Sequence, residues 1–193
     1  VFADDRPACA VAWSVLPQMI MKLPQKVVEG VNARTYRDVV AIHRGVGRER
    51  VVKGHGVYYP EPEDPFYRVS FPSNMAPSTA PPGCTSIIAE VAVDPGSPLD
   101  ETKVTEDCIG ALIRSGVISA HDPILLKKCY RLSPGYVVYD AARANSVEVI
   151  GDYFKEMGII PAGRFGEWRF FNMDHTIMSG LKAAATITGG DGP

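Results

Sequence analysis

The chain has 193 residues, 46% hydrophobic and 22% charged, with a formal net charge of -2 at pH 7. This is the profile of a globular protein long enough for a real core, and it excludes the clustered basic excess of a nucleic-acid surface. Apolar runs stay well short of the roughly 20 residues of a membrane span, and no charged-then-apolar leader opens the chain, so the expectation is a cytoplasmic protein.

Residues 8–16 are apolar and stop at Pro17, which predicts a short buried strand. Helical stretches are expected at 18–23, broken by Pro24, and at 25–35, where Val27, Val28, Val31 and Tyr36 fall near helical spacing. The β-branched segment 37–46 predicts a strand, as do 56–60 and 65–72, which are joined by a proline-rich loop. Residues 73–84 hold three prolines and a glycine and read as a loop, followed by a strand over 85–93. Asp100 precedes a helix running to about Ser115 and stopped by Gly116. Residues 125–133 and 135–139 read as two extended segments separated by Ser133-Pro134-Gly135. A helix over 141–157, closed by Gly158, carries Val147, Ile150 and Phe154 on one stripe, the pattern of a core-facing helix. A strand over 159–162 and a last helix over 174–187 complete the series, with a frayed Gly-Gly-Asp-Gly-Pro end. Strands cluster in mid-chain and helices do not alternate strictly with them. The expected class is therefore α+β, a mixed, largely antiparallel sheet flanked by helices.

Cys9, Cys84, Cys108 and Cys129 form no C-x-x-C pair, and His43, His55, His121 and His175 are scattered. The spacing predicts reduced thiols and no zinc or other metal site.

The segment with most chemistry is GRFGEWRFFNMDHTIMSGLKAA, beginning at Gly163. Gly163 and Gly166 lack a Cβ and let a backbone come close to a ligand. Arg164 offers a fork of donors to a phosphate. Asn172 or Asp174 suits an N-cap, and the helix start behind it offers free N–H groups and a positive dipole end. Ser179, Gly180, Ala183 and Ala184 are small enough for close packing. The plain alternative is a strand–turn–helix connection that only packs, with Glu167 a solvated charge and Asp174 a cap.

This run resembles the C-terminal flavin-contacting motif of the UDP-galactopyranose mutases and their amine-oxidase and protoporphyrinogen-oxidase-like relatives. YYPEPEDPFYRVSFPSNMAP, from Tyr58, and RLSPGYVVYDAARANSVEVIGDYFKEMGI, from Arg131, resemble the strands and the strand–helix unit upstream of that motif, so the likeness covers about 10–188. It implies a substrate-binding domain over 1–162 and a C-terminal segment, 163–193, belonging to an FAD-binding domain. It further implies that FAD contacts Gly163, Arg164, Gly166, Glu167, Trp168 and the helix start Asn172, Met173, Asp174, His175 and Thr176. Arg164, Arg68 and Tyr136 would then face the substrate, a polar ring-bearing metabolite such as a UDP-sugar. Arg68 reads equally as a sheet-edge salt bridge, and Tyr136 as a core tyrosine.

Two departures matter. The G-x-G-x-x-G turn that would bind the FAD pyrophosphate is absent, since Gly45-x-Gly47 and Gly54-x-Gly56 lack the third glycine. Trp168, Phe170 and Phe171 stand where the mutases are richer in tyrosine, which leaves a general flavin oxidoreductase open beside isomerase chemistry. Two expectations follow: a fragment of a longer FAD enzyme whose N-terminal Rossmann portion is missing, or a non-catalytic module that binds a ligand or partner. The opening VFADDRPACAVAWSVLP reads as the crossing back from the cofactor domain.

Overall fold

The computed structural model describes residues 7–33 and 35–190. The first part of the expected crossing segment and the last three residues of the expected frayed end lie outside the described residues. In chain order the elements are β1 (Ala8–Cys9), a 3-10 turn (Trp13–Val15), α1 (Leu16–Met19), α2 (Gln25–Ala33), β2 (Tyr36–Val46), β3 (Gly56–Tyr58) and β4 (Arg68–Ser70). There follow α3 (Pro72–Met75), a second 3-10 turn (Pro77–Thr79), β5 (Thr85–Val93), α4 (Glu101–Arg114) and β6 (Ile124–Val137). The chain closes with α5 (Arg143–Glu156), β7 (Ile160–Pro161), α6 (Gly163–Gly166) and α7 (Met173–Thr188). The class is α+β, with a five-stranded sheet in the order β3-β4-β5-β2-β6 and a two-stranded parallel pair, β1-β7. The β3/β4, β4/β5 and β5/β2 pairings are antiparallel.

The chain divides into two compact units, one comprising Arg37–Gly135 and the other Val1–Tyr36 with Tyr136–Pro193. The boundary expected at 162/163 does not separate compact units, because α6 and α7 pack with the second of these.

In the Arg37–Gly135 unit, Val40, Ile42 and Val46 alternate inward along β2 and meet Ile87, Ala89 and Val91 of β5 and Cys108, Ala111 and Leu112 of α4. Asp100 caps α4 by accepting the Lys103 N–H at 2.9 Å, as its position in the sequence predicts. The expected break at Ser133-Pro134-Gly135 is instead the interior of one strand, β6. A Cβ on Gly135 would lie 2.5 Å from Val39 Cγ2, so this glycine permits a close strand approach to β2 and does not make a turn. The expected loop at 73–84 contains one short helical turn and one 3-10 turn, and Asn74 Nδ2 donates to the Val52 carbonyl at 2.9 Å.

The second unit is built around Trp13, Leu16, Val27, Val31, Val137, Ile150, Tyr153, Phe154 and Trp168. Ile150 and Phe154 of the α5 stripe are buried and Val147 packs beside them. Residues 8–16 are not one strand. Only Ala8–Cys9 is extended, after which Trp13 and Leu16, one helical turn apart, point into the same core. Pro17 sits in the first turn of α1, where its missing N–H costs nothing. Among the described residues no helix is long and apolar enough to cross a membrane. All four cysteines are free.

Candidate functional site

The glycine-arginine segment does not run as an open loop after β7. Gly163 has φ 75°, a left-handed conformation that favours glycine, and opens α6. Its N–H donates to Ser179 Oγ at 2.7 Å, and the Ser179 hydroxyl donates to the Glu167 carboxylate. Gly166 is buried, its carbonyl accepts Trp13 Nε1–H at 2.9 Å, and a Cβ at this position would lie 2.2 Å from the Cys9 carbonyl oxygen. The close approach that Gly166 allows is thus to the protein's own β1. Trp168 is 0% exposed, stacked on Trp13 at 5.4 Å and 16° and edge-on to Tyr36 at 6.1 Å and 87°. Gly166 and Trp168, both in the set implied to contact the cofactor, are turned inward here, because core packing needs a large ring and a bare backbone.

Arg164 has different surroundings. Its guanidinium carbon lies 4.7 Å from the Tyr136 ring centre and 4.6 Å from that of Phe170. The two rings themselves stack at 5.7 Å and 18°. Nε and Nη2 of Arg164 are buried and have no hydrogen-bond partner among the described residues. These two nitrogens form one edge of the guanidinium plane, the edge that takes a carboxylate or phosphate through two parallel hydrogen bonds. Leaving buried cationic donors unsatisfied is costly, so the arrangement calls for an acceptor. Phe170 is fixed by its N–H donating to Tyr139 Oη at 2.9 Å, and Tyr139 in turn lies under the Arg143 guanidinium at 3.9 Å.

Asn172 occupies the N-cap of α7, but its side chain makes no capping bond; its carbonyl instead accepts from Thr176 N–H and Thr176 Oγ1, both at 3.0 Å. Asn172, Met173, Asp174, His175 and Thr176 are all exposed. The His175 ring stacks on Phe171 at 5.9 Å and 21°, and its Nδ1 lies 3.3 Å from Asp174 Oδ1. The start of this helix therefore presents backbone N–H groups and the positive end of the helix dipole to solvent. Of the small residues, Ser179 and Ala183 face inward, while Gly180 and Ala184 are exposed. Met173, Ile177 and Leu181, at intervals of one turn, form an exposed apolar stripe, with Met173 84% exposed.

Arg68 belongs to the other compact unit. It lies directly opposite Glu90 across the β4/β5 pairing, and its Nε donates to Glu90 Oε1 at 3.0 Å. Tyr67 Oη donates to the second Glu90 oxygen at 2.5 Å. The guanidinium is thus engaged in a cross-strand ion pair, the second of the two readings its sequence context allowed. The residues that sequence reading passed over are Phe170 as the second ring against Arg164, and Tyr139 and Arg143 as its supports. Phe170 stands in a visible aromatic cluster, whereas nothing local to Arg143 marks it.

No family model matches the chain. Among solved structures, that of reduced UDP-galactopyranose mutase superposes on 96% of this chain with a TM-score of 0.85 and 27% identity, over 41% of its own length. The chain has the fold of part of a UDP-galactopyranose mutase. A protoporphyrinogen oxidase-like protein from Exiguobacterium sp. 255-15 matches over 96% of the chain and 40% of its own, with a TM-score of 0.66 and 16% identity. An engineered putrescine oxidase, from a redesign of cofactor binding, matches over 95% and 42%, with a TM-score of 0.66 and 13% identity. The chain therefore spans about 40% of the length of these proteins.

Arg164 brings an unsatisfied donor edge, and α7 brings an uncapped, exposed start. No G-x-G-x-x-G segment is present in the 193 residues to hold a pyrophosphate.

Proposed function

We propose that this chain is the substrate-side part of a flavin-dependent enzyme, an oxidoreductase or a nucleotide-sugar mutase, completed by an N-terminal dinucleotide-binding portion outside these 193 residues. In this reading residues 1–162 serve the substrate and 163–193 contact the flavin. The observation that carries it is the buried, unpartnered Nε/Nη2 edge of Arg164 between Tyr136 and Phe170. The FAD-contacting set then narrows to Gly163, Arg164, Glu167 and the helix start Asn172, Met173, Asp174, His175 and Thr176. Gly166 and Trp168 hold the turn in place from within.

FAD, when bound, would supply the electron-accepting or nucleophilic centre that these side chains lack. The chain's own contribution is orientation and electrostatics. Arg164 would pair with an anionic group of substrate or cofactor, and the two rings beside it would exclude water and so strengthen that pairing. The N–H groups at the start of α7 would stabilise negative charge at a neighbouring ring edge. The Met173–Ile177–Leu181 stripe would lie against the remainder of the enzyme.

The test is visible absorbance. The protein produced with the upstream reading frame should purify yellow, with a flavin band lost on blocking the start of α7. A colourless protein that takes up no added FAD would favour the second reading, a non-catalytic ligand- or partner-binding module.

A further inference from the structure

Arg44 lies in the inward row of β2, between Ile42 and Val46, and is only 1% exposed. One terminal nitrogen is used: Nη1 donates to the His43 carbonyl at 2.7 Å and contacts the Lys128 carbonyl at 3.4 Å. Nε and Nη2 are buried without a hydrogen-bond partner among the described residues. As at Arg164, these are the two nitrogens of one guanidinium edge, the edge that grips a planar pair of oxygens. Burial works against the charge of Arg44, and the groups set against that effect are the thiols of Cys108 and Cys129. Burial pushes the Cys108 thiol up to about 12 and the Cys129 thiol upward as well, so neither offers a negative charge at neutral pH. Among the described residues Arg44 is thus a buried cation with no ion pair, and arginine does not discharge in proteins to escape that cost.

Arg44 also forms part of the wall of a cavity of about 440 Å³ between α4 and β6. Thr102, Thr105, Lys127 and Cys129 line it, and the carboxylates of Glu101 and Glu106 stand there too. Hydroxyls and a lysine beside an unsatisfied guanidinium edge are the donors an oxyanion needs, and the volume admits one small molecule. We propose that this cavity, within the Arg37–Gly135 unit, is a binding site for a small oxyanion held bidentately by Arg44 Nε and Nη2. The shared chemistry is a carboxylate or a phosphate group. This proposal does not depend on the flavin reading.

Cys129 reports on occupancy because it lines the same cavity. Site-resolved alkylation of the 193-residue chain would be followed in sodium phosphate, sodium acetate and sodium chloride at matched ionic strength. At about ten times its Kd, the preferred oxyanion should slow alkylation of Cys129 about tenfold while leaving Cys84 unaffected. Arg44→Met should lose that protection. Should Arg44→Met fail to fold, the Nε–H signal of Arg44 in the side-chain NMR spectrum of the unaltered protein takes its place, and should shift saturably with the same anion. Protection by phosphate alone or by acetate alone identifies the class and supports the site. Three results would overturn it: no anion acts, chloride acts equally, or Glu101→Gln or Glu106→Gln lowers the melting temperature as an ion-pair partner of Arg44 would.

Discussion

The Arg143 guanidinium clasps the carbonyl of Trp168 with two donors, Nε at 3.2 Å and Nη2 at 2.7 Å. Trp168 has φ 52°, a left-handed conformation that a bulky residue adopts only under constraint. Arg143 and the stack of Trp168 on Trp13 supply that constraint, and the turn they hold places Arg164 and Phe170 against Tyr136. Arg143→Ala should lower stability by about 2 kcal/mol, the worth of hydrogen bonds from a charged donor, read as a shift of the urea midpoint. Arg143→Lys should recover little of this, since an ammonium cannot reproduce the two-pronged geometry.

Gly166 and Gly151 make a matched pair of tests. Alanine at 166 would put a methyl 2.2 Å from the Cys9 carbonyl oxygen, so Gly166→Ala should destabilise by about 2–3 kcal/mol through displaced backbone. At Gly151, inside α5, an added Cβ meets nothing within 4 Å. Gly151→Ala should therefore stabilise by about 0.5–1 kcal/mol through helix propensity. Thermal melts of the two variants check both signs at once.

For Arg164 the expected outcome separates function from stability. Removing a buried cation whose donors are unsatisfied should leave the melting temperature unchanged or slightly raised in Arg164→Ala. In a flavin-loaded enzyme the same change should lower turnover by about 100-fold, the scale for losing one preorganised donor at a site of developing charge. A large drop in melting temperature with normal turnover would make Arg164 a structural residue.

Asp140 provides the pH dependence. The hydroxyl of Thr35 hydrogen-bonds its carboxylate and, with backbone N–H groups, holds its pKa below the ordinary carboxylate range. The charged form is the one favoured by folding. Its stabilisation is present above the ordinary carboxylate pKa and is lost as pH falls through the depressed value. Thr35→Val should move the Asp140 titration upward toward the ordinary range, visible in the carboxyl carbon signal by NMR. An unmoved titration would show that the backbone donors alone are responsible.

Much of the framework is legible locally. The strand over 85–93, the Asp100 cap and the Ile150/Phe154 stripe repeat at the periods of strand and helix, and each was found where the pattern predicts it. The Ser133-Pro134-Gly135 break and the 8–16 strand were misread because turn-forming and apolar residues serve other ends once a neighbouring element is present. Arg44 illustrates the same limit. An arginine in the apolar row Val40, Ile42, Val46 is visible in the sequence, but its lack of a partner is not.

Local residue order suffices for the secondary elements with strong periodicity, the α+β class, and the position of the glycine-arginine segment in front of a helix. Those features depend on residues a few places apart, whose spacing is set by helix and strand geometry. Which parts of that segment face inward depends on the three-dimensional packing. Trp13 and Gly166 meet across 153 residues of sequence, and that contact turns Gly166 and Trp168 into core while leaving the Arg164 edge without a partner. Burial and pairing are properties of what surrounds a side chain, and no local pattern carries that information.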